Sequence, residues 1–331
     1  MAATRAPWID VHAHPGRCFL AGLDGTDPLV SLLGGQDVVT AWSAARAAGL
    51  AAITLSTVAD LRVLAPDAAK GLRAARQFRP GEAYDDHRRQ LDEIGRIANA
   101  LGAEVAVTAA AIDDACAEGR TAVLVSCEGG DFLDGRLEPL AEAQTAGASS
   151  LTLVHYRVNE IGDVQTEEPA HGGLTRFGHE VVAACNRLGI IVDCAHATFE
   201  TTAAVLEASR HPVMISHSHL DHADRHHPRL LSADHARTVA SAGGLIGAWP
   251  SGVTSASLGD FADEVVRLAD LVGVDHVAIG TDMDANYRPV LASYADFALL
   301  PQLLAVRGIS AAETDKILGA NFLDLFRQGA G

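Results

Sequence analysis

Short apolar segments rich in β-branched residues recur along the chain, and each ends in polar residues. Segments of this kind are typical of strands that are buried on both faces of a parallel sheet. They lie at residues 8–14, 51–57, 122–128, 150–156, 190–196, 213–218, 244–249 and 276–282. The pattern therefore predicts eight parallel strands.

Segments with helical periodicity separate many of these strands. They cover residues 37–49, 84–102, 176–189, 232–243 and 260–273. Several end at a glycine, which commonly closes a helix, and Thr175 and Ser232 are suitable N-cap residues. Strands that alternate with helices, without a linker rich in Pro, Gly or Ser, predict an α/β fold, a (β/α)8 TIM barrel that forms a single domain over residues 1–331.

Two regions depart from this alternation. Residues 58–121 are too many for one crossover, and residues 103–109 within them are either an extra strand or part of a helical insertion. A barrel strand there would shift the numbering of all later strands by one. Residues 292–329 carry helical patterns only, so we expect C-terminal helices beside the barrel.

Composition limits the class of partner. The 331 residues are 48% hydrophobic, carry a formal net charge of -17, and include 5 scattered cysteines without a C-x-x-C pair. Phosphate binding needs clustered Lys and Arg, so we expect a small-molecule partner and neither nucleic acid nor membrane. With no apolar run suited to a signal peptide or a membrane span, and no disulfide framework, we expect a cytoplasmic protein.

One stretch, SHSHLDHADRHH at residues 216–227, concentrates histidine. Its H-x-H-x-D-H motif resembles the metal-binding motif of metallo-β-lactamase-type hydrolases and consists of His217, His219, Asp221 and His222. That fold would need further metal ligands downstream. The alternative is that His217 alone belongs to a site assembled from distant strands, with the other three residues in a loop near the mouth.

Potential metal ligands and acid-base groups stand at the ends of six predicted strands. They are His12, His14, Glu128, His155, His196, His217 and Asp282. The C-terminal ends of barrel strands meet at one mouth, where the active sites of TIM barrels lie, so these residues would come together. A single histidine at a strand end is more often an ordinary polar residue, but six strands that end in this way indicate a functional site.

These residue types can compose a hydrolytic site with two metal ions. Glu128 could bridge both ions through its two oxygens, and zinc suits such ligands. Because side chains alternate along a strand, His12 and His14 share a face and could bind one ion together. His196 and His217 could bind the other. Such a pair would activate a water molecule for attack on a carbonyl.

Two further residues have catalytic roles in this hypothesis. Asp282 would take the proton of the attacking water and pass it to the leaving amine, and His155 would face the developing oxyanion. A barrel that binds a metal without turnover is an alternative, although Asp282 would have no obvious use in it.

Six short motifs resemble, in order and spacing, those of the membrane (renal) dipeptidases, peptidase family M19 of the amidohydrolase superfamily. They are DVHAHP, SCEGG, LTLVH, GLTRFGHEVVAACNRLGIIVDCAH, PVMISHS and IGTDMD. The resemblance extends over nearly the whole chain and implies a zinc-dependent dipeptidase, with dipeptides as substrates and a homodimer as the assembly. The metal ligands that it implies are His12, His14, Glu128, His196 and His217. It further implies a substrate-contacting His155 and an acid-base Asp282.

The resemblance also implies an arginine that binds the substrate carboxylate about a dozen residues after the sixth-strand histidine. Arg229 has that position here, and Arg225 is a nearby rival. A guanidinium group suits bidentate binding of a carboxylate.

The chain departs from the family pattern at two positions. His14 stands where these dipeptidases have Asp, which removes one negative charge from the ligands of the first ion. The site could then hold one zinc ion instead of two, or act on another amide, a lactone or a phosphoester. Trp249 lies near the position of an expected Tyr and could fill its space.

Overall fold

A computed structural model of the chain describes residues 6–23, 25–32, 36–68, 71–223 and 226–329. Its strands are β1 (Trp8–Asp10), β2 (Leu50–Val58), β3 (Leu64–Asp67), β4 (Gly71–Ala74), β5 (Ala122–Glu128), β6 (Ala148–Thr152), β7 (Ile191–Asp193), β8 (Met214–Ser218), β9 (Leu245–Ala248) and β10 (Val277–Ile279). Its α-helices are α1 (Pro28–Leu32), α2 (Val38–Ala48), α3 (Glu82–Leu101), α4 (Ala109–Ala117), α5 (Glu138–Thr145), α6 (Arg176–Leu188), α7 (Phe199–Ala208), α8 (Ala233–Ser241), α9 (Leu258–Val272), α10 (Tyr294–Phe297), α11 (Leu300–Ala305), α12 (Ala311–Asp315) and α13 (Asn321–Gly329).

The main sheet has eight strands in the order β1-β2-β5-β6-β7-β8-β9-β10. All its paired strands are parallel. Its first and last strands are linked by hydrogen bonds from the Val11 N–H to the Ile279 carbonyl (3.1 Å) and from the Asp282 N–H to the His12 carbonyl (2.8 Å). The predicted TIM barrel is thus confirmed, and each predicted strand position contains a strand of this sheet. That residues 1–331 form a single domain stays a prediction.

Buried apolar residues fill both faces of the strands, as the continuous apolar runs predict. All nine residues of β2 are buried, for example. On one side of the barrel the strands approach closely because glycines stand there. A Cβ atom on Gly247 would lie 1.8 Å from the carbonyl oxygen of Ser216, and one on Gly280 would lie 2.0 Å from the same atom. These glycines therefore let β9 and the end of β10 pack directly against β8.

The long interval at residues 58–121 holds the antiparallel hairpin of β3 and β4, followed by α3 and α4. Residues 103–109 link the two helices, and Val105 makes only an isolated bridge to Val123. They are not a barrel strand, so the strand numbering does not shift. The hairpin was not predicted, because its short strands lack a sustained alternation of apolar and polar residues.

Helix boundaries follow the predicted capping signals. Thr175 accepts a hydrogen bond from the Gly178 N–H (2.9 Å), and Ser232 accepts one from the His235 N–H (3.1 Å). The expected C-terminal helices are α10 to α13. Within the described part of the chain, no helix combines the length and the apolar character needed to cross a membrane.

Candidate active site

Five of the predicted residues form two buried groups that could each hold a metal ion. The first group is His12, His14 and Glu128, and the second is Glu128, His196 and His217. In each group the candidate ligand atoms lie within 4.8 Å of one another. None of the five residues is more than 3% exposed. The groups meet because β1, β5, β7 and β8 all end at the same mouth of the barrel.

Glu128 is the residue that the two groups share. Its Oε1 lies 3.3 Å from His12 Nε2 and 3.2 Å from His196 Nε2, and its Oε2 lies 3.3 Å from His14 Nε2. His196 Nε2 and His217 Nε2 are 3.1 Å apart. The Glu128 carboxylate is thus within reach of the histidines of both groups and could serve as a ligand in each.

Hydrogen bonds to Nδ1 of two of the imidazoles determine that Nε2 is the nitrogen available to bind a metal ion. His14 Nδ1 faces the carbonyl of Ser56 (3.2 Å), which can only accept, so Nδ1 carries the proton. The Ser216 hydroxyl donates to Asp193 Oδ2 (2.6 Å), so its oxygen accepts from His217 Nδ1 (3.0 Å). In both histidines Nε2 is left as the ligand atom, and second partners of this kind are typical of metal-binding histidines.

The unsatisfied atoms of the site fit a metal ion. His12 Nε2 and His14 Nε2 are buried without a hydrogen-bond partner, although buried polar atoms normally have one. Both point at the Glu128 carboxylate. Four imidazoles around one carboxylate form a donor set that suits zinc and other first-row metal ions.

Charge states in the site also suit metal binding. Burial raises the pKa of Glu128, but the surrounding imidazoles outweigh it and hold this pKa well below its usual value. Burial lowers the pKa of His196 and of His217 well below the ordinary value for histidine. Burial lowers the pKa of His14, but the nearby carboxylates of Asp282 and Glu128 outweigh burial and raise this pKa to about 10. An ion bound there would displace the His14 proton, since ligands bind metals in their deprotonated form.

His155 lies beside the two groups and is held by a residue that sequence reasoning missed. Its Nδ1 is 2.7 Å from Asp60 Oδ1, and its Nε2 is 3.6 Å from Glu128 Oε2. Burial lowers the pKa of His155, but the charges of Asp60 and Glu128 outweigh it and raise this pKa. Asp60 follows the end of β2, so the strand-end pattern that selected Glu128 could have identified it too.

Asp282 and Trp249 contact each other across the last two strands of the barrel. The indole N–H of Trp249 donates to Asp282 Oδ2 (3.2 Å), and Asp282 Oδ1 lies 3.4 Å from His14 Nε2. Asp282 has a φ of 52°, an uncommon conformation for a non-glycine residue that is frequent at functional sites. Trp249 thus lines the cavity and orients the carboxylate.

Arg229 is 1% exposed and reaches into the site from the loop after β8. It donates to Gln165 Oε1 (2.9 Å) and to His217 Nε2 (3.0 Å), and its guanidinium lies 5.7 Å from the Trp249 ring centroid. Because a guanidinium group can only donate, this contact indicates that His217 Nε2 is unprotonated and has a free lone pair. Arg225 lies outside the described residues.

Two other histidines of this stretch, His219 and His222, contact α9, whereas His226 and His227 line the cavity beside the two groups. The ring of His219 packs against Phe261 of α9 (5.8 Å between centroids), and His222 Nε2 contacts Glu264 Oε1 of the same helix (2.8 Å). Neither these two histidines nor Asp221 belongs to a metal-competent group among the described residues. The metallo-β-lactamase alternative is therefore wrong, because the fold is a barrel, and of the four motif residues only His217 belongs to a group that could hold a metal ion among the described residues.

A cavity of about 790 Å³ opens over the two groups at the mouth of the barrel. The predicted site residues that line it are Glu128, His155, His196, His217, Arg229 and Asp282. A volume of this size accommodates a small molecule. The arrangement can therefore hold metal ions, an acid-base carboxylate and a cation around one substrate.

Comparisons with known proteins show the family of the chain. The chain matches the family model described as membrane dipeptidase (peptidase family M19) over residues 34–330. Dipeptidase aclJ from Aspergillus oryzae is 31% identical over 262 residues, which are 74% of this chain and 62% of that protein. Dipeptidase verJ from Clonostachys rogersoniana is 30% identical over 237 residues, which are 70% of this chain and 60% of that protein. The chain thus spans about three fifths of the length of these relatives.

Solved structures share the fold. The probable dipeptidase PvdM from Pseudomonas aeruginosa superposes with a TM-score of 0.79 at 19% identity, covering 98% of this chain and 96% of that one. A metallo peptidase from Rhodobacter sphaeroides, liganded with a phosphinate mimic of the dipeptide L-Ala-D-Ala, has a TM-score of 0.80 at 19% identity, covering 98% and 99%. At this level of identity the likeness supports the barrel architecture alone.

Proposed function

Because this chain belongs to the membrane dipeptidase family, peptidase family M19, we propose that it hydrolyses dipeptides with zinc ions bound at the mouth of its barrel. The observation that carries the proposal is the pair of buried ligand groups that share Glu128. They face a cavity that also contains Asp282 and Arg229.

We assign one zinc ion to His12, His14 and Glu128, and a second to Glu128, His196 and His217, because each group offers three ligand atoms within 4.8 Å of one another. Zinc ions bound there would act as Lewis acids that polarise the amide carbonyl and lower the pKa of the attacking water.

The other side chains supply binding and proton transfer. Asp282, held by Trp249 at Oδ2, would accept a proton of the attacking water at its other oxygen and deliver it to the leaving amine. His155, oriented by Asp60, would donate from Nε2 to the developing oxyanion. Arg229 would bind the C-terminal carboxylate of the dipeptide, because its buried guanidinium faces the cavity beside His217.

The first test measures bound metal per chain and then hydrolysis of L,L and L,D dipeptides beside lactones and phosphotriesters. We expect two zinc ions per chain and cleavage of dipeptides. Because His14 replaces a carboxylate, lactone or phosphoester hydrolysis is the second candidate function, and cleavage of those substrates without any dipeptide would establish it instead. A wild-type protein that binds no metal would contradict both.

A sharper test compares two buried histidines that lie two residues apart, one at the end of β8 and one just after it. His217→Ala removes a proposed ligand, so we expect the loss of at least one equivalent of zinc and a fall in kcat/KM of at least about 100-fold. His219→Ala is the matched control, since its ring packs on α9, and should keep both metal and activity. Equal losses of metal in the two variants, measured by elemental analysis, would refute the ligand assignment.

A further inference from the structure

One side of the cavity is apolar. Its side chains come from the segment after β1, the end of β2 and the hairpin that follows. We call them the apolar wall, and they are Phe19, Val58, Leu61, Leu64 and Leu72. Four of the five are less than 9% exposed, and Leu72 is half-buried. They therefore form an ordered surface inside the cavity.

The hairpin of β3 and β4 presents its apolar face to the cavity. Pro66 pairs directly with Leu72, and Leu64 lies two residues before Pro66, so alternation along the strands puts all three on one face. All three line the cavity. Of the two charged residues in β3 and β4, Arg73 does not line the cavity, whereas Asp67 does, and Asp67 Oδ2 lies 3.7 Å from Arg73 Nε.

The apolar wall touches the proposed metal ligands directly. The Phe19 ring packs edge-on against His14, with 5.1 Å between ring centroids, and Val58 is the direct neighbour of Glu128 in the sheet. A group held against the wall therefore lies next to the proposed ligands His14 and Glu128.

Arg229 and the apolar wall lie on opposite sides of the mouth. Arg229 follows β8, the sixth strand of the barrel, whereas most of the wall follows β2, the second. In a closed barrel of eight strands, strands four places apart face each other. In the proposed binding mode, Arg229 binds the carboxylate of the dipeptide and the peptide bond lies over the metal ligands. The first residue of the dipeptide then points toward the wall.

We propose that the apolar wall binds the side chain of the N-terminal residue, so that the enzyme prefers dipeptides that begin with a large apolar residue. This inference rests on the proposed dipeptidase function. None of the five wall side chains is charged, and Asp67, the carboxylate of the hairpin that also lines the cavity, already has Arg73 as its partner. Burying an unpaired charge of an acidic or basic first residue against the wall is therefore costly. Burial of a leucine-sized side chain, by contrast, is favourable.

The zinc-loaded protein should therefore cleave Leu-Ala and Phe-Ala more efficiently than Gly-Ala, Asp-Ala or Lys-Ala. We expect a difference in kcat/KM of about 10- to 100-fold, as expected for a side chain bound in an apolar pocket. Calorimetry gives a readout that does not depend on turnover. A reduced-amide analogue of Leu-Ala should bind the protein about tenfold or more tightly than the analogue of Gly-Ala.

Leu72→Asp tests the wall at its most exposed member. We expect kcat/KM for Leu-Ala to fall at least about tenfold and that for Gly-Ala to stay within about twofold of wild type. The control is Leu299→Asp, at a position that is 49% exposed and does not line this cavity. It should leave both substrates unaffected.

The outcomes separate this inference from the proposed function. Two results would overturn the apolar wall as a specificity determinant and leave the dipeptidase function standing. The first is equal cleavage of Leu-Ala and Gly-Ala by the wild type. The second is an equal loss of kcat/KM for both dipeptides in Leu72→Asp with normal zinc content. Failure to cleave any dipeptide would overturn the proposed function, and the inference with it.

Discussion

The indole of Trp249 gives one oxygen of Asp282 a fixed partner and leaves the other oxygen facing His14. A proton carrier works best when its orientation is set before the reaction, because the transfer distance is then already short. The family resemblance suggested a tyrosine near this position. The tryptophan supplies a donor of its own, from the neighbouring strand.

Trp249→Phe keeps a ring in this place but removes the donor. We expect kcat to fall about tenfold, with little change in KM and zinc content, because the substrate contacts remain while Asp282 loses its orientation. Steady-state kinetics on a cleaved dipeptide measures the two constants. Trp42→Phe, a buried change in α2 away from the cavity, is the control. A change confined to KM would show that Trp249 binds substrate instead of orienting Asp282.

Sequence patterns located the residues of the site that stand at strand ends, because an apolar run followed by a polar residue is visible locally. Asp60 was not identified as a site residue, because β2 extends to Val58, one residue beyond its predicted end. Asp60 was therefore assigned to the long insertion. The contact of Gln165 with Arg229 joins two loops that are far apart in the chain. A contact between residues so far apart cannot be predicted from a short segment of the sequence.

At the level of elements, β8 depends on its two glycine neighbours. A side chain at Gly247 would overlap the Ser216 carbonyl, and Ser216 both precedes His217 and holds its ring. The close packing of the strands and the position of a proposed ligand are therefore linked.

Gly247→Ala should lower the free energy of unfolding by at least about 2 kcal/mol, because the added methyl group must push strands apart. It should also weaken zinc binding through the displaced His217. Gly95→Ala is a control that should change the free energy of unfolding in the opposite direction. Gly95 lies within α3 with open space around it, so alanine should stabilise the helix by about 0.5–1 kcal/mol. Urea unfolding of both variants measures the effects, and an unchanged Gly247→Ala protein would contradict the packing argument.

Strands and long helices were predictable because each carries its period in its own residues. The helices α4, α5 and α7 and the hairpin were not among the predicted elements. The three helices separate their apolar and polar residues only weakly onto two faces, the strands of the hairpin are short, and tertiary contacts stabilise all of them. The hairpin matters most, because it carries part of the apolar wall.

At the level of the whole molecule, buried neutral histidines make stability depend on pH. Burial lowers the pKa of His87 to about 3, and burial lowers that of His235 to about 4 although Glu200 opposes it. As the pH falls below about 6.5, the unfolded chain takes up protons at these residues and the folded chain does not. The stability present above pH 6.5 is therefore lost progressively toward pH 4.

His87→Leu should flatten this dependence. Each such histidine contributes up to about 1.4 kcal/mol per pH unit in the window, so the slope of unfolding free energy against pH should fall by about that amount. His179→Gln, an exposed change on α6, should leave the slope as it is. Urea titrations at several pH values between 4 and 7 provide the measurement. Identical slopes in His87→Leu and wild type would refute the role of His87.

The hydrogen bonds that join Val11 to Ile279 and His12 to Asp282 connect the first strand of the sheet with its last strand, more than 260 residues later in the chain. The segment that carries His12 and His14 therefore lacks one of its two neighbouring strands until β10 is in place. We expect zinc to bind only after the barrel has closed. Ribosome-bound chains that stop before β10 should carry no stoichiometric metal, whereas the released chain should acquire it.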